Sequence, residues 1–188
     1  MDTEFGVGRG KVFPASRARS LLNPVRRLVQ SPTRLARRLE AASDARVLEV
    51  GCGPGYFSPA LAAAVPQGRL VLVDLQREML DLAATRLVDV RDRVEAVHAD
   101  ASRLPLRSDS FDAVVVILML GEVSDRNACL AEVRRVLRLG GTALFAETRR
   151  DGDYIRPVEL RALVEPHRFE VVDQRGPSWE YTARFRAV

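Results

Sequence analysis

The stretch Ala45–Ser58, reading ARVLEVGCGPGYFS, limits what this chain can fold into more than any other. A strand-like run, Arg46 to Val50, ends in glycines at alternate positions, Gly51, Gly53 and Gly55, and an alanine-rich helical pattern follows. Glycine there lets the backbone adopt positive φ and pass close to a ligand. A strand turning through such a corner into a helix belongs to an open α/β sheet.

The rest of the chain repeats the alternation. RLVLVD, RVEAVHAD, FDAVVVILML and TALFAE read as four further strands. Helices are expected over 76–88, over 125–138 with Gly140-Gly141 as the stop, and around 157–164. The close, HRFEVVDQ and SWEYTARFRAV around Arg175-Gly176-Pro177, reads as two adjacent strands with one inserted antiparallel. The expected fold is Rossmann-like α/β: a seven-stranded, mostly parallel sheet with an antiparallel edge hairpin, helices on both faces, and ligand sites at the strand C-terminal ends. Residues 45–188 form this domain.

Residues 1–44 are expected to form a helical lid. Residues 1–12 read as flexible, and two short amphipathic helices follow, started at Asn23-Pro24 and Ser31-Pro32. Leu21, Leu22, Val25, Leu28 and Val29 make the apolar stripe of the first. Arg9, Arg17, Arg19, Arg26, Arg27, Arg34, Arg37 and Arg38 give this segment much of the net charge of +4. They face either an anion or solvent, and the lack of interleaved aromatics favours solvent. No apolar run reaches membrane-helix length and the N-terminus has no signal-peptide core, so the expected compartment is the cytoplasm, with no membrane partner. Cys52, Cys129, His98 and His167 offer no metal-type spacing.

A dinucleotide fingerprint would read G-x-G-x-x-G, but Tyr56 stands where the third glycine belongs. Asp74 ends the second strand 19 residues after Gly55. A carboxylate there can accept both hydroxyls of a ribose, or simply cap a helix. Asp100 follows the third strand on the same edge, where it can accept from an adenine amino group while the Ala101 amide donates to a ring nitrogen.

Taken together, VLEVGCGPG, LVLVD, HADASRLPLRSDSFDAVVV and LAEVRRVLRLGGTALFAE resemble the class I S-adenosylmethionine-dependent methyltransferase family over residues 46–147. The resemblance implies S-adenosylmethionine as cofactor. Glu49, Gly51, Gly53 and Gly55 would cradle its methionine end, Asp74 its ribose, Leu75 would pack on its adenine, and Asp100 and Ala101 would read the adenine edge. Two departures stand out. Leu139 replaces the usual proline before Gly140-Gly141, and Gly121-Glu122 stands where many relatives carry histidines.

The expected chemistry is methyl transfer to a small-molecule acceptor, chiefly by alignment. Candidate catalytic groups are Glu122, otherwise a surface-loop carboxylate, and Glu147, otherwise paired with Arg149 or Arg150. His98, alternating with Val97 on an expected buried strand, reads as structural. Phe13, Tyr56, Phe57 and Tyr154 are expected to line the pocket, and Trp179 and Tyr181 to pack. An RNA or other nucleic-acid methyltransferase is the alternative, opposed by the absence of an Asn-Pro-Pro-aromatic motif after the fourth strand. A non-methylating cofactor-binding member is another. The residues fix neither the acceptor nor the oligomeric state.

Overall fold

The computed structural model describes residue 6, residues 10–23 and residues 30–188. The helix expected after Asn23-Pro24, with Val25, Leu28 and Val29 of its stripe, lies outside the described residues, as do most of residues 1–12 and Arg9, Arg26 and Arg27.

The strands are β1 (Arg46–Val50), β2 (Arg69–Asp74), β3 (Val94–His98), β4 (Phe111–Ile117), β5 (Leu137–Thr148), β6 (Phe169–Arg175) and β7 (Glu180–Ala187). They form one seven-stranded sheet in the order β3-β2-β1-β4-β5-β7-β6. β1 to β5 run parallel, and β7 lies antiparallel between β5 and β6. The chain leaves β1 toward β2 on one side and returns to β4 on the other. That reversal opens a crevice at the C-terminal ends of β1 and β4, beside the glycine corner.

The near-continuous Val, Leu and Ile runs of β1, β2 and β4 are buried on both faces, as parallel strands under helices must be. Leu48, Val50, Val71, Val73, Val114 and Val116 face one core, closed by helices Arg126–Val136 and Pro157–Val164. Val47, Leu70, Leu72, Val115 and Ile117 face the other, under helices Pro32–Arg38, Ser58–Ala64 and Arg77–Thr85.

Several expectations change. The helix expected to reach residue 138 ends at Val136, and β5 begins at Leu137. Leu137 pairs with Phe111, yet Thr142 pairs with Ala113, so residues 138–141 bulge out of the ladder. Gly140, at φ +78°, turns that bulge rather than stopping a helix. β3 is an edge strand and largely exposed, so His98 is not on a buried strand; its Nε2 lies 2.8 Å from the Leu75 carbonyl oxygen. Tyr56 and Phe57 pack edge-to-face in the core, at 6% exposure each, rather than lining a pocket. Tyr181 is buried, whereas Trp179 is half exposed in the turn before β7.

Ser31 caps helix Pro32–Arg38, its Oγ accepting from the Arg34 amide. The arginines of this helix are not all solvated. Arg38 is 7% exposed, donating to both oxygens of Asp173 at 3.1 and 2.6 Å and to Thr182 Oγ1 at 3.2 Å.

Candidate functional site

Gly51, Gly53 and Gly55 all have positive φ, at +68°, +53° and +76°. At Gly51 a Cβ would lie 2.7 Å from Met119 Cγ, and at Gly55 it would lie 2.9 Å from the Ala83 backbone. Among the described residues, Gly53 has only Leu21 Cδ1 in front of it, at 3.9 Å. Backbone conformation and space therefore both require glycine at the two outer positions. The corner is tied to the end of β2 because the Gly51 and Cys52 amides both donate to the Val73 carbonyl.

Asp74 completes that tie. Its carboxylate accepts from the Gly53 amide at 2.8 Å and from the Gln76 amide at 2.9 Å. Burial raises its pKa, and those amides pull it back. Glu49 lies behind the corner, 2% exposed, accepting from Ser58 Oγ at 2.6 Å. Burial pushes it up to about 8. Beyond the β2 tip, a cleft of about 640 Å3 is lined by Ala15, Ser16, Leu75, Gln76, Arg77, Glu78 and His98. Asp100 is exposed beyond β3, its Oδ1 accepting from the amide and hydroxyl of Ser102, with Ala101 half-buried between them.

Glu122 follows β4. Leu118, at φ +53°, turns the chain out of the strand, a conformation costly for a branched side chain and frequent at working sites. Met119 then packs on Gly51 and Glu122 is half-buried. Desolvation pushes Glu122 up to about 8, with Asp153, Asp151 and Asp74 adding repulsion.

A strap from the N-terminal segment joins these places. The Gly10 amide donates to the Gly121 carbonyl at 2.9 Å, and the Phe13 amide to Glu122 Oε2 at 2.9 Å. Two residues on, the Ala15 amide donates to Gln76 Oε1 at 2.9 Å while Gln76 Nε2 donates to the Phe13 carbonyl at 2.8 Å. Residues 10–15 therefore run from the loop after β4 to the loop after β2.

Glu147 does not join this group. It is 4% exposed, turned inward, and accepts from the Ile155 amide at 3.2 Å. Burial pushes it up to about 8, and Asp153 and Asp151 add to the rise. It holds the loop after β5, whose Tyr154 hydroxyl meets the Ser178 carbonyl, and it bonds neither Arg149 nor Arg150. The corner glycines, Asp74, Leu75 and Glu122 thus share one sheet edge; Glu49 supports it from behind, Asp100 and Ala101 flank it, and Glu147 lies beneath. Gln76 and Met119 went unread in the sequence. Met119 is one more apolar residue after a strand, and Gln76 bonds a partner 63 residues away. Among the described residues no cluster could hold a metal, and no helix is long and apolar enough to cross a membrane.

Residues 47–141, just over half of the chain, match the family model described as a methyltransferase domain. The ubiquinone/menaquinone biosynthesis C-methyltransferase of Syntrophotalea carbinolica is 33% identical over 111 residues, 59% of this chain and 47% of that protein. The demethylmenaquinone methyltransferase of Clavibacter sepedonicus is 39% identical over 111 residues, 59% of this chain and 44% of that one. The chain thus spans about half the length of the curated relatives it matches. Among solved structures, a SAM-dependent methyltransferase from Aquifex aeolicus superposes with a TM-score of 0.84 over 94% of this chain and 100% of its own, at 19% identity, a likeness of fold.

Proposed function

Since the chain belongs to the class I S-adenosylmethionine-dependent methyltransferase family, we propose that it moves a methyl group from S-adenosylmethionine to a small-molecule acceptor. The observation that carries this reading is the left-handed glycine corner, tied through its Gly53 amide to the Asp74 carboxylate, at the point where the strand order reverses. The cofactor fits the donors and acceptors present. The corner leaves bare backbone at Gly53, Asp74 offers carboxylate oxygens for ribose hydroxyls, and the cleft beyond it, with Leu75 in its lining, would take a flat base. Asp100 and the Ala101 amide, just beyond His98 of that cleft in the chain, would offer the base an acceptor and a donor. Glu49 lies behind the corner, where the cationic methionine end would favour its ionised form and be met by its negative charge.

When bound, the cofactor supplies an already activated methyl group. The protein's part is then to align the acceptor and exclude water. The strap over 10–15 serves the second task, as the working part of a lid drawn from residues 1–44. Glu122 serves one task or both: Oε2 holds the strap, and the carboxylate, formed as pH rises toward about 8, can take a proton from an acceptor hydroxyl or amine. Glu147, sealed beneath, positions the loop after β5.

The names of the two relatives put demethylated quinone precursors first among acceptors to try. The test is incubation with S-adenosylmethionine and a panel led by a reduced naphthoquinone, followed by mass spectrometry of both products. A methylated acceptor in equal amount with S-adenosylhomocysteine supports the reading. Bound cofactor with no product across quinone, phenol, amine and thiol acceptors would leave a non-methylating binder instead.

A further inference from the structure

β6 and β7 carry a second cluster of charge. Asp173 accepts from Arg38 and from Arg184, which hold its carboxyl well below the usual carboxylate range. Arg184 also pairs with Glu40 at 2.5 Å, and Arg175 lies 3.6 Å from Asp173 and 4.0 Å from Glu40. Helix Pro32–Arg38 adds Arg34 and Arg37, both exposed. Among the described residues neither guanidinium pairs with a carboxylate, although Glu180 feels the charge of Arg34. Three guanidiniums therefore share Glu40 and Asp173, and Arg34 and Arg37 stand beside them with Glu180 near Arg34, leaving an excess of positive charge.

That excess is gathered into a concavity. A cleft of about 490 Å3 is lined by Ser31, Thr33, Arg34, Arg37, Arg38 and Arg175. Its floor is rigid because Arg38 is buried and clamped at both nitrogens by Asp173, and neither acid lines the cleft. Guanidinium forks match tetrahedral oxyanions, and the hydroxyls of Ser31 and Thr33 add donors. We propose that this cleft binds a phosphate group, either a monoester or a pyrophosphate, of a soluble molecule or of a lipid head. The charge excess favours such a multiply charged anion over a single carboxylate. The site is separate from the glycine corner, although the Tyr56 hydroxyl after the corner donates to the Gln30 carbonyl at the start of this segment. It does not depend on the methyl-transfer reading.

The test titrates the full chain with inorganic pyrophosphate, and in parallel with S-adenosylhomocysteine, by calorimetry at low ionic strength. The variant is Arg34→Ala/Arg37→Ala, which alters exposed side chains; its thermal unfolding is checked against the wild type. Pyrophosphate is expected to bind one to one and to lose about tenfold or more in affinity in the variant, while S-adenosylhomocysteine binds both proteins equally. Co-sedimentation with phosphatidic-acid vesicles against phosphatidylcholine vesicles separates the sources. Retention that the variant loses assigns a lipid phosphate, and pyrophosphate binding without retention assigns a soluble one. No pyrophosphate binding at millimolar concentration, or equal affinity in the variant, overturns the site. Failure of S-adenosylhomocysteine alone would remove the methyl-transfer reading and leave this one standing.

Discussion

Glu122 holds the strap with one oxygen and has a second that can face an acceptor, so two substitutions separate its tasks. Glu122→Gln still accepts from the Phe13 amide but cannot take a proton. If Glu122 moves a proton, this variant turns over about ten- to a thousand-fold more slowly, and the rise of rate with pH toward about 8 disappears. Glu122→Ala also releases the strap. Gln matching wild type at every pH, with Ala still impaired, would assign Glu122 to the strap alone. Glu49 makes a separate prediction. At about 8 it is mostly protonated at pH 7, and a cofactor ammonium near it lowers that value. Cofactor binding at pH 7 should therefore release protons, read as a binding enthalpy that depends on the ionisation enthalpy of the buffer. An enthalpy independent of the buffer would show that Glu49 does not sense the ligand.

In the proposed function, the strap is the element on which acceptor access would turn. Gln76→Ala removes both of its bonds near Asp74, so trypsin should cut at Lys11, Arg17 and Arg19 several-fold faster, and turnover should fall more than cofactor affinity. Unchanged cleavage would mean that the segment is held elsewhere. A lid from residues 1–44 was expected from the sequence, but the bonds that hold it were not legible, since Gln76 and Phe13 carry no periodic signal and meet only in three dimensions. The parallel strands were legible because burial on both faces demands unbroken runs such as VVVI in β4. Their ends were less so. Val133, Val136 and Leu137 continue a helical stripe, and only the ladder with Phe111 assigns Leu137 to β5. β3 was misread as buried because the alternation of Val94, Ala96 and His98 does not disclose an edge. Glu147 looked like an open carboxylate at a strand end, and the Ile155 amide that folds over it is invisible locally.

For the whole molecule, three carboxyls shielded from water contribute to how stability follows pH. Glu49, Glu122 and Glu147 are each raised by burial from 4.5 to about 8. Between these values the folded chain binds more protons than the unfolded one, so stability is greatest near the lower value and declines as pH rises through the upper. Asp173, held low by Arg38 and Arg184, acts oppositely and removes stability only below about pH 4. Urea midpoints should therefore fall from pH 5.5 to pH 8.5 without cofactor, and a rise would contradict these burials. The glycine corner and Asp74 were readable in advance because each is a local pattern with fixed spacing, whereas the reversal of strand order is set by the sheet as a whole. The acceptor was not readable, since the strap and the loops that would meet it lack such patterns. The central claim is that the corner and Asp74 hold S-adenosylmethionine, and calorimetric titration with S-adenosylhomocysteine tests it most directly. The wild type should bind at micromolar-range affinity, and Asp74→Ala, if its unfolding shows a native fold, should bind about 1.5–3 kcal/mol more weakly, the scale of lost charge-assisted hydrogen bonds. No binding by the wild type, or equal binding by both proteins, would contradict the account.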